Sequence, residues 1–212
     1  MNTGSAENMR SLSQSANSTA ASVAIVFAIG FFASLAGDAC HVASGTTVYD
    51  WDGVPAIWRS AIWFPFLVGG AVLGAALAGR RLGLPAARSR GRLEAAIGIA
   101  LVVALYATTA ALRNQPETVS VVLCSAIAFA IWAWWDPSPG AFAIAAGAAV
   151  LGPLAEIVIV EIGAAHYATD ADGLFGVAAW LPCLYFAAGS VASGIWRAIG
   201  GPPVTSAAQD PS

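Results

Sequence analysis

Lysine is absent from this chain, and charge of either sign is scarce: nine arginines and twelve acidic residues make up 10% of 212 positions. A soluble domain carries about 25% charge, so a globule of this size would lack the ionic surface that keeps it in water. With 58% apolar residues and a mean hydropathy of +0.73, the composition describes one polytopic membrane unit with short loops. A formal net charge of −3 without a basic stripe excludes nucleic-acid binding. Cysteine is also scarce. Cys40, Cys124 and Cys183 are an odd set with no CxxC spacing, which excludes a disulfide framework or zinc ribbon and leaves small, buried apolar residues. There is no Gly-x-Ser-x-Gly, no phosphate cradle and no Ser or Cys evidently partnered with either histidine. The chain is therefore expected to be non-enzymatic and to need no cofactor or metal.

What is present is a series of apolar runs. Residues 1–19, rich in Ser, Asn, Thr and Gln, read as a disordered N-terminal tail. Six runs then approach the length of about 20 residues that crosses a bilayer as a helix: 20–38, 56–79, 93–112, 118–135, 140–164 and 174–198. Residues 199–212 read as a flexible C-terminal tail. The expected fold is all-α, a six-helix transmembrane domain over 20–198. A secretory signal over 10–40 is the rival reading of the first run. The linker from Gly79 to Arg92 holds five of the nine arginines and should be cytoplasmic by the positive-inside rule. Six spans then place both termini on that side.

The two expected outer loops echo each other. One carries His41, Tyr49-Asp50-Trp51-Asp52-Gly53 and Ala61-Ile62-Trp63-Phe64-Pro65; the other carries His166-Tyr167, Asp170-Ala171-Asp172-Gly173 and Ala178-Ala179-Trp180-Leu181-Pro182. This predicts a parallel duplication of helices 1 and 2 as helices 5 and 6. Pro65 and Pro182 are expected inside membrane helices, freeing the carbonyls of Ala61 and Ala178 for a neighbour or a ligand hydroxyl. Gly70-x-x-x-Gly74 and the small residues Gly189, Ser190, Ser193 and Gly194 predict close helix packing. Glu156 and Glu161 are costly at membrane depth; five residues apart, they point about 140° away from each other. Asp38, His41, Glu161, His166 and the outer aspartates supply metal-ligand chemistry without a defined spacing. The Asp-x-Asp-Gly pairs lack the bidentate Glu of a calcium loop and read as turns.

The segment Trp132-Ala133-Trp134-Trp135-Asp136-Pro137-Ser138-Pro139-Gly140, then Ala179-Trp180-Leu181-Pro182-Cys183-Leu184-Tyr185-Phe186 and Ile195-Trp196-Arg197, resembles the insulin-induced gene (Insig) family. Ser60-Ala61-Ile62-Trp63-Phe64-Pro65 is similar to that family's second helix. The resemblance covers about residues 57–198 and implies six helices, oxysterol binding and retention of partner membrane proteins. It places Asp136 on the family's partner-binding Asp and Trp132 at the sterol site. Val119 stands where the family has a sterol-site Gln, Tyr106 where it has an Asn, and Pro-Ser-Pro where it has a charged loop. The missing lysines and abundant Ala, Gly and Arg suit a GC-rich bacterial genome, and so a plasma-membrane homologue.

The function expected from these readings is a cavity for a neutral amphipathic lipid, sterol or diacylglycerol in type, in a lipid sensor or partner-retention protein. Its polar contacts would come from Tyr106, Thr109, Glu156 and the carbonyls freed by Pro65 and Pro182. Trp63, Trp132, Trp180, Tyr185 and Phe186 would form its walls. Asp136 would mark a loop for a membrane-protein partner, and a homo-oligomer stays open. The alternatives are a proton-coupled transporter using Glu156 and Glu161, and a membrane metalloenzyme built on the outer His and Asp residues.

Overall fold

A computed structural model describes residues 3–50, 53–83, 85–88 and 90–200, with side chains from residue 16 onward. Six long helices carry the fold: α1 (Thr3–Ser44), α2 (Trp63–Arg81), α3 (Arg92–Ala111), α4 (Glu117–Trp135), α5 (Pro139–Glu161) and α6 (Leu181–Ala198). Four short strands, β1 (Thr47–Tyr49), β2 (Ala56–Ile57), β3 (Ser60–Ala61) and β4 (Ala165–Tyr167), lie in the two loops at one end. The first five helices are long and apolar enough to cross a membrane.

α6 is shorter and less apolar, for a reason visible in its position. It lies against α2, α3, α4 and α5, and Gly189, Ser190, Ser193 and Gly194 along it are all buried. A helix enclosed by protein needs small residues for backbone approach, not lipid-facing bulk. Cβ atoms added at Gly189 and Gly194 would stand 2.6 Å from Ala148 Cβ and 2.9 Å from Trp135 Nε1. The α2 half of the same expectation fails. Among the described residues, nothing lies within 4 Å of a Cβ added at Gly70 or Gly74; the close approaches on α2 are at Gly69, against Phe27, and Gly79, against the Ser193 carbonyl.

Both proline expectations are corrected by where the helices begin. The runs at 56–79 and 174–198 become helical only at Trp63 and Leu181, so Pro65 and Pro182 stand in the first helical turn. A missing N–H there has no intrahelical partner to lose, and the ring clashes with no preceding turn. The Ala178 carbonyl accepts from Leu181 N at 3.1 Å, and Ala61 lies in β3, before α2 begins, so neither carbonyl loses a helical hydrogen bond to a proline. Helical backbone also extends through residues 3–19, where a tail was expected; a formed helix propagates with one hydrogen bond per added residue. At the other end Ile199 and Gly200 close α6, and the rest of the expected C-terminal tail lies outside the described residues, as do Trp51 and Asp52.

The echo between the outer loops has a structural counterpart. β1 and β4, the corresponding loop segments, pair antiparallel with Thr47 opposite Tyr167, Val48 opposite His166 and Tyr49 opposite Ala165. Antiparallel pairing of like segments is what two copies related by a local two-fold axis produce. It ties the first hairpin of helices to the last.

Candidate functional site

Between α1, α2, α3 and α6, with Ala148 of α5 at one side, the helices leave a hollow of about 90 Å³. Its floor and sides are small: Gly30 and Ala33 on α1, Ala71 and Ala75 on α2, Ala188 and Ala192 on α6. Alanines four apart stack on one face of a helix, so two such pairs hold the helix surfaces apart without filling the gap. The polar groups on this wall are Ser34, whose hydroxyl donates to the Phe31 carbonyl at 3.0 Å, and the tyrosines Tyr106 and Tyr185. Each tyrosine is seated over a helical glycine. A Cβ on Gly37 would come within 2.5 Å of the Tyr106 ring, and one on Gly152 within 2.2 Å of the Tyr185 ring.

Beyond the tyrosines lies a buried polar layer. Tyr185 donates its hydroxyl to Glu156 Oε1 at 2.8 Å and Tyr167 donates to Oε2 at 3.3 Å, while Tyr49 donates to Asp38 Oδ2 at 2.6 Å. His41 Nε2 meets Thr109 Oγ1 at 2.8 Å, and the Thr109 hydroxyl donates to the Tyr106 carbonyl; the Nε2 proton is therefore on His41. Its ring packs between Tyr106 and Trp180, with centroids 5.1 and 5.0 Å away. In the strand pair, burial first and the neighbouring carboxylates second push the Tyr49 and Tyr167 hydroxyls above the usual tyrosine range. Both remain protonated donors.

The residues expected at one lipid site are thus divided among several places. Tyr106 and Tyr185 line the hollow, and Glu156 stands one hydrogen bond behind Tyr185. Thr109 and Trp180 flank His41 in the polar layer. Trp63 faces Tyr49 edge-on with centroids 5.7 Å apart, and Pro65 and Pro182 sit in first helical turns. Trp132 and Phe186 belong to a separate aromatic group on α4, α5 and α6, built around Phe142 at 5.4 Å from each. The small wall residues were missed. Their signal, paired alanines four apart, is present at Ala71/Ala75 and Ala188/Ala192 but is common in an Ala-rich membrane chain.

No family model matches the chain. It is 45% identical over 170 residues to the INSIG protein homolog of Mycolicibacterium vanbaalenii, covering 80% of this chain and 82% of that one. The chain belongs to the Insig family. It is also 28% identical to the insulin-induced gene 2 protein of Gallus gallus over 82% of this chain and 78% of that protein. Among solved structures, MvINS, an Insig homolog from Mycobacterium vanbaalenii, aligns with a TM-score of 0.79 at 40% identity, over 84% of this chain and 93% of that one. A cross-linked trimer of MvINS aligns equally well. With its five apolar spans, this Insig homologue is a multi-pass membrane protein.

At the arginine-rich end, the position suggested by Insig resemblance for partner contact is occupied by a buried side chain. Asp136 is 2% exposed. Its Oδ1 accepts from the backbone N–H of Ala87 at 2.9 Å and of Ser138 at 3.2 Å, and its Oδ2 from Arg197 at 3.2 Å. Arg90 donates to the Trp134 and Trp135 carbonyls, satisfying the open C-terminus of α4. Asp136 therefore pins the α2–α3 linker to the ends of α4 and α6, and its carboxylate is spent within the protein. Asp136→Ala is expected to cost about 2 kcal/mol by orphaning charged hydrogen bonds. Limited trypsin digestion should show the change as faster cleavage at Arg88 and Arg90, with the helices intact; an unchanged rate would show that the linker is held by other contacts.

The alternative chemistries do not assemble. Glu156 is buried whereas Glu161, the last residue of α5, is exposed, as their spacing implies. Asp38 and His41 face the protein interior, while His166 points outward and bonds Asp50 at 2.5 Å. Among the described residues, no group of three or more His, Cys, Asp or Glu side chains is placed to hold a metal ion.

Proposed function

We propose that this Insig homologue holds a neutral amphipathic lipid of the diacylglycerol or sterol type in the hollow between α1, α2, α3 and α6. The observation that carries the reading is a cavity wall of alanine, valine and isoleucine side chains crossed at one end by Tyr106 and Tyr185. Apolar walls take hydrocarbon, and a few fixed polar groups orient a hydroxyl. Among the described residues, a charged headgroup finds no arginine on this wall. The space takes the head and first carbons of such a lipid, with the remaining hydrocarbon lying along exposed helix faces.

In this reading all six helices span a bacterial plasma membrane, with the arginine linker and both termini cytoplasmic. Lipid occupancy then sets how tightly α1 and α2 close on α6. The Asp136-anchored linker carries that change to a membrane-protein partner, or to further copies of the chain, as the MvINS trimer suggests. The test is lipid extraction from the purified protein followed by quantitative mass spectrometry. One neutral lipid enriched well above its share of the membrane is expected. Phospholipids in bulk membrane proportion would refute the reading.

A further inference from the structure

The polar layer above the cavity contains more than a lipid hydroxyl requires. Asp38 and Glu156 are 3% and 6% exposed and border a second hollow, of about 10 Å³, together with His41, Thr47, Tyr49 and Tyr167. This is room for one water, which needs two to four polar partners. One partner is waiting: Thr47 is 5% exposed, lines the hollow, and its Oγ1 has no hydrogen-bond partner among the described residues.

The layer also has an unbalanced charge count. The titratable groups facing Glu156 are Asp38 and His41 from α1, Tyr49 from β1, Tyr106 from α3, Tyr167 from β4 and Tyr185 from α6. His41 donates its Nε2–H in a hydrogen bond to Thr109 with its ring packed between Tyr106 and Trp180, and Arg113 is engaged by Asp170. Among the described residues, no arginine borders the hollow. Two buried carboxylates that border one small hollow with no arginine facing them do not both stay ionised, because each lacks solvent and repels the other.

We propose that Asp38 and Glu156 hold one shared proton across a water in this hollow, and that Tyr185 couples the proton to the contents of the lipid cavity. Tyr185 belongs to both sites: its ring is cavity wall and its hydroxyl is bound to Glu156. Hydrocarbon entering the cavity removes water from behind that hydrogen bond and penalises the ionised carboxylate. Lipid binding therefore draws the proton in, and by reciprocity the proton tightens lipid binding. Affinity rises as pH falls, by at most about tenfold per pH unit for one linked proton. The coupling rests on the lipid reading given above; the shared proton does not.

Infrared spectroscopy of the purified full chain, titrated from about pH 5 to about pH 8 with and without dioctanoylglycerol, tests both parts. The expected result is a protonated carboxylic-acid carbonyl band at neutral pH that weakens in Glu156→Gln or Asp38→Asn. Its midpoint should move up by about one pH unit with the lipid, a tenfold linkage. Absence of the band, or its survival at full strength in both variants, overturns the shared proton. Should those variants fail to fold, Tyr185→Phe keeps the ring on the cavity wall and removes only the donor to the anion. It is expected to raise the midpoint, and an unchanged titration overturns the coupling. A band indifferent to dioctanoylglycerol that quenches tryptophan fluorescence also overturns the coupling. Failure of that lipid to bind while the band persists counts against the cavity reading and for the shared proton. Stabilisation by sodium over choline chloride without any band would assign the hollow to a metal cation and overturn the proton.

Discussion

Gly79→Val should leave little folded protein in detergent, while Gly74→Ala on the same helix should be nearly silent. A Cβ at Gly79 would lie 2.4 Å from the Ser193 carbonyl oxygen and 3.2 Å from its carbon, with Ile144 on the other side at 3.4 Å. The obstacle is backbone of the central helix, which no rotamer change can move. Ser193 is itself tied down, its hydroxyl donating to the Ser190 carbonyl at 2.7 Å, and Arg80 lies 4.5 Å over the Trp196 ring one residue beyond Gly79. Overpacking that side chains can absorb costs about 1–3 kcal/mol; here α2 must withdraw from α6, and the loss should reach or exceed the top of that range. At Gly74 no atom lies within 4 Å of an added Cβ, so the change should stay within about 0.5 kcal/mol. Thermal unfolding followed by tryptophan fluorescence measures both. Comparable losses at the two positions would mean that α2 packs on α6 through a different face.

The contrast between those two glycines shows what was legible in the sequence and what was not. Number and order of the long helices follow from run lengths, because a bilayer accepts a single narrow range of apolar segment. The repeated Asp-x-Asp-Gly and Trp-x-Pro signatures point to a duplication of the first helix pair as the last, but not to the strands β1 and β4 through which the two loops pair. Helix starts at α2 and α6 were placed seven residues early. There Trp-x-Pro is an entrance motif, and the apolar residues before it are loop and strand that face protein. Which face of α2 meets α6 could not be read at all. Gly69, Gly70, Gly74 and Gly79 are equivalent in composition, and an amphipathic stripe is missing where lipid and protein interior are alike apolar. The cavity wall was hidden for the same reason. Glu156 was the exception, since a carboxylate at membrane depth is visible in any sequence; its tyrosine partners were individually ordinary until the fold brought them together.

Ala188→Phe is expected to remove bound lipid while sparing the fold. Ala188 lies on α6 between Tyr185, one turn before, and Ala192, one turn after, and all three border the cavity. It is half-buried and borders the cavity, so a phenyl ring placed there can turn into existing empty space. The ring would fill the volume next to the tyrosine hydroxyls, where the lipid head is proposed to sit, without adding a charge or leaving a polar group unpaired. Co-purifying neutral lipid should fall by at least about tenfold, equivalent to about 1.4 kcal/mol, with an unfolding temperature equal to or above that of the parent chain. Leu151→Phe, at a position 68% exposed on α5, is the matched control and should change neither quantity. Lipid retained in full by Ala188→Phe would move the binding site out of this cavity. The aromatic group around Trp132, Phe142 and Phe186 would then be the next place to probe, and a bulky substitution at Ala71 on the opposite wall should be equally without effect.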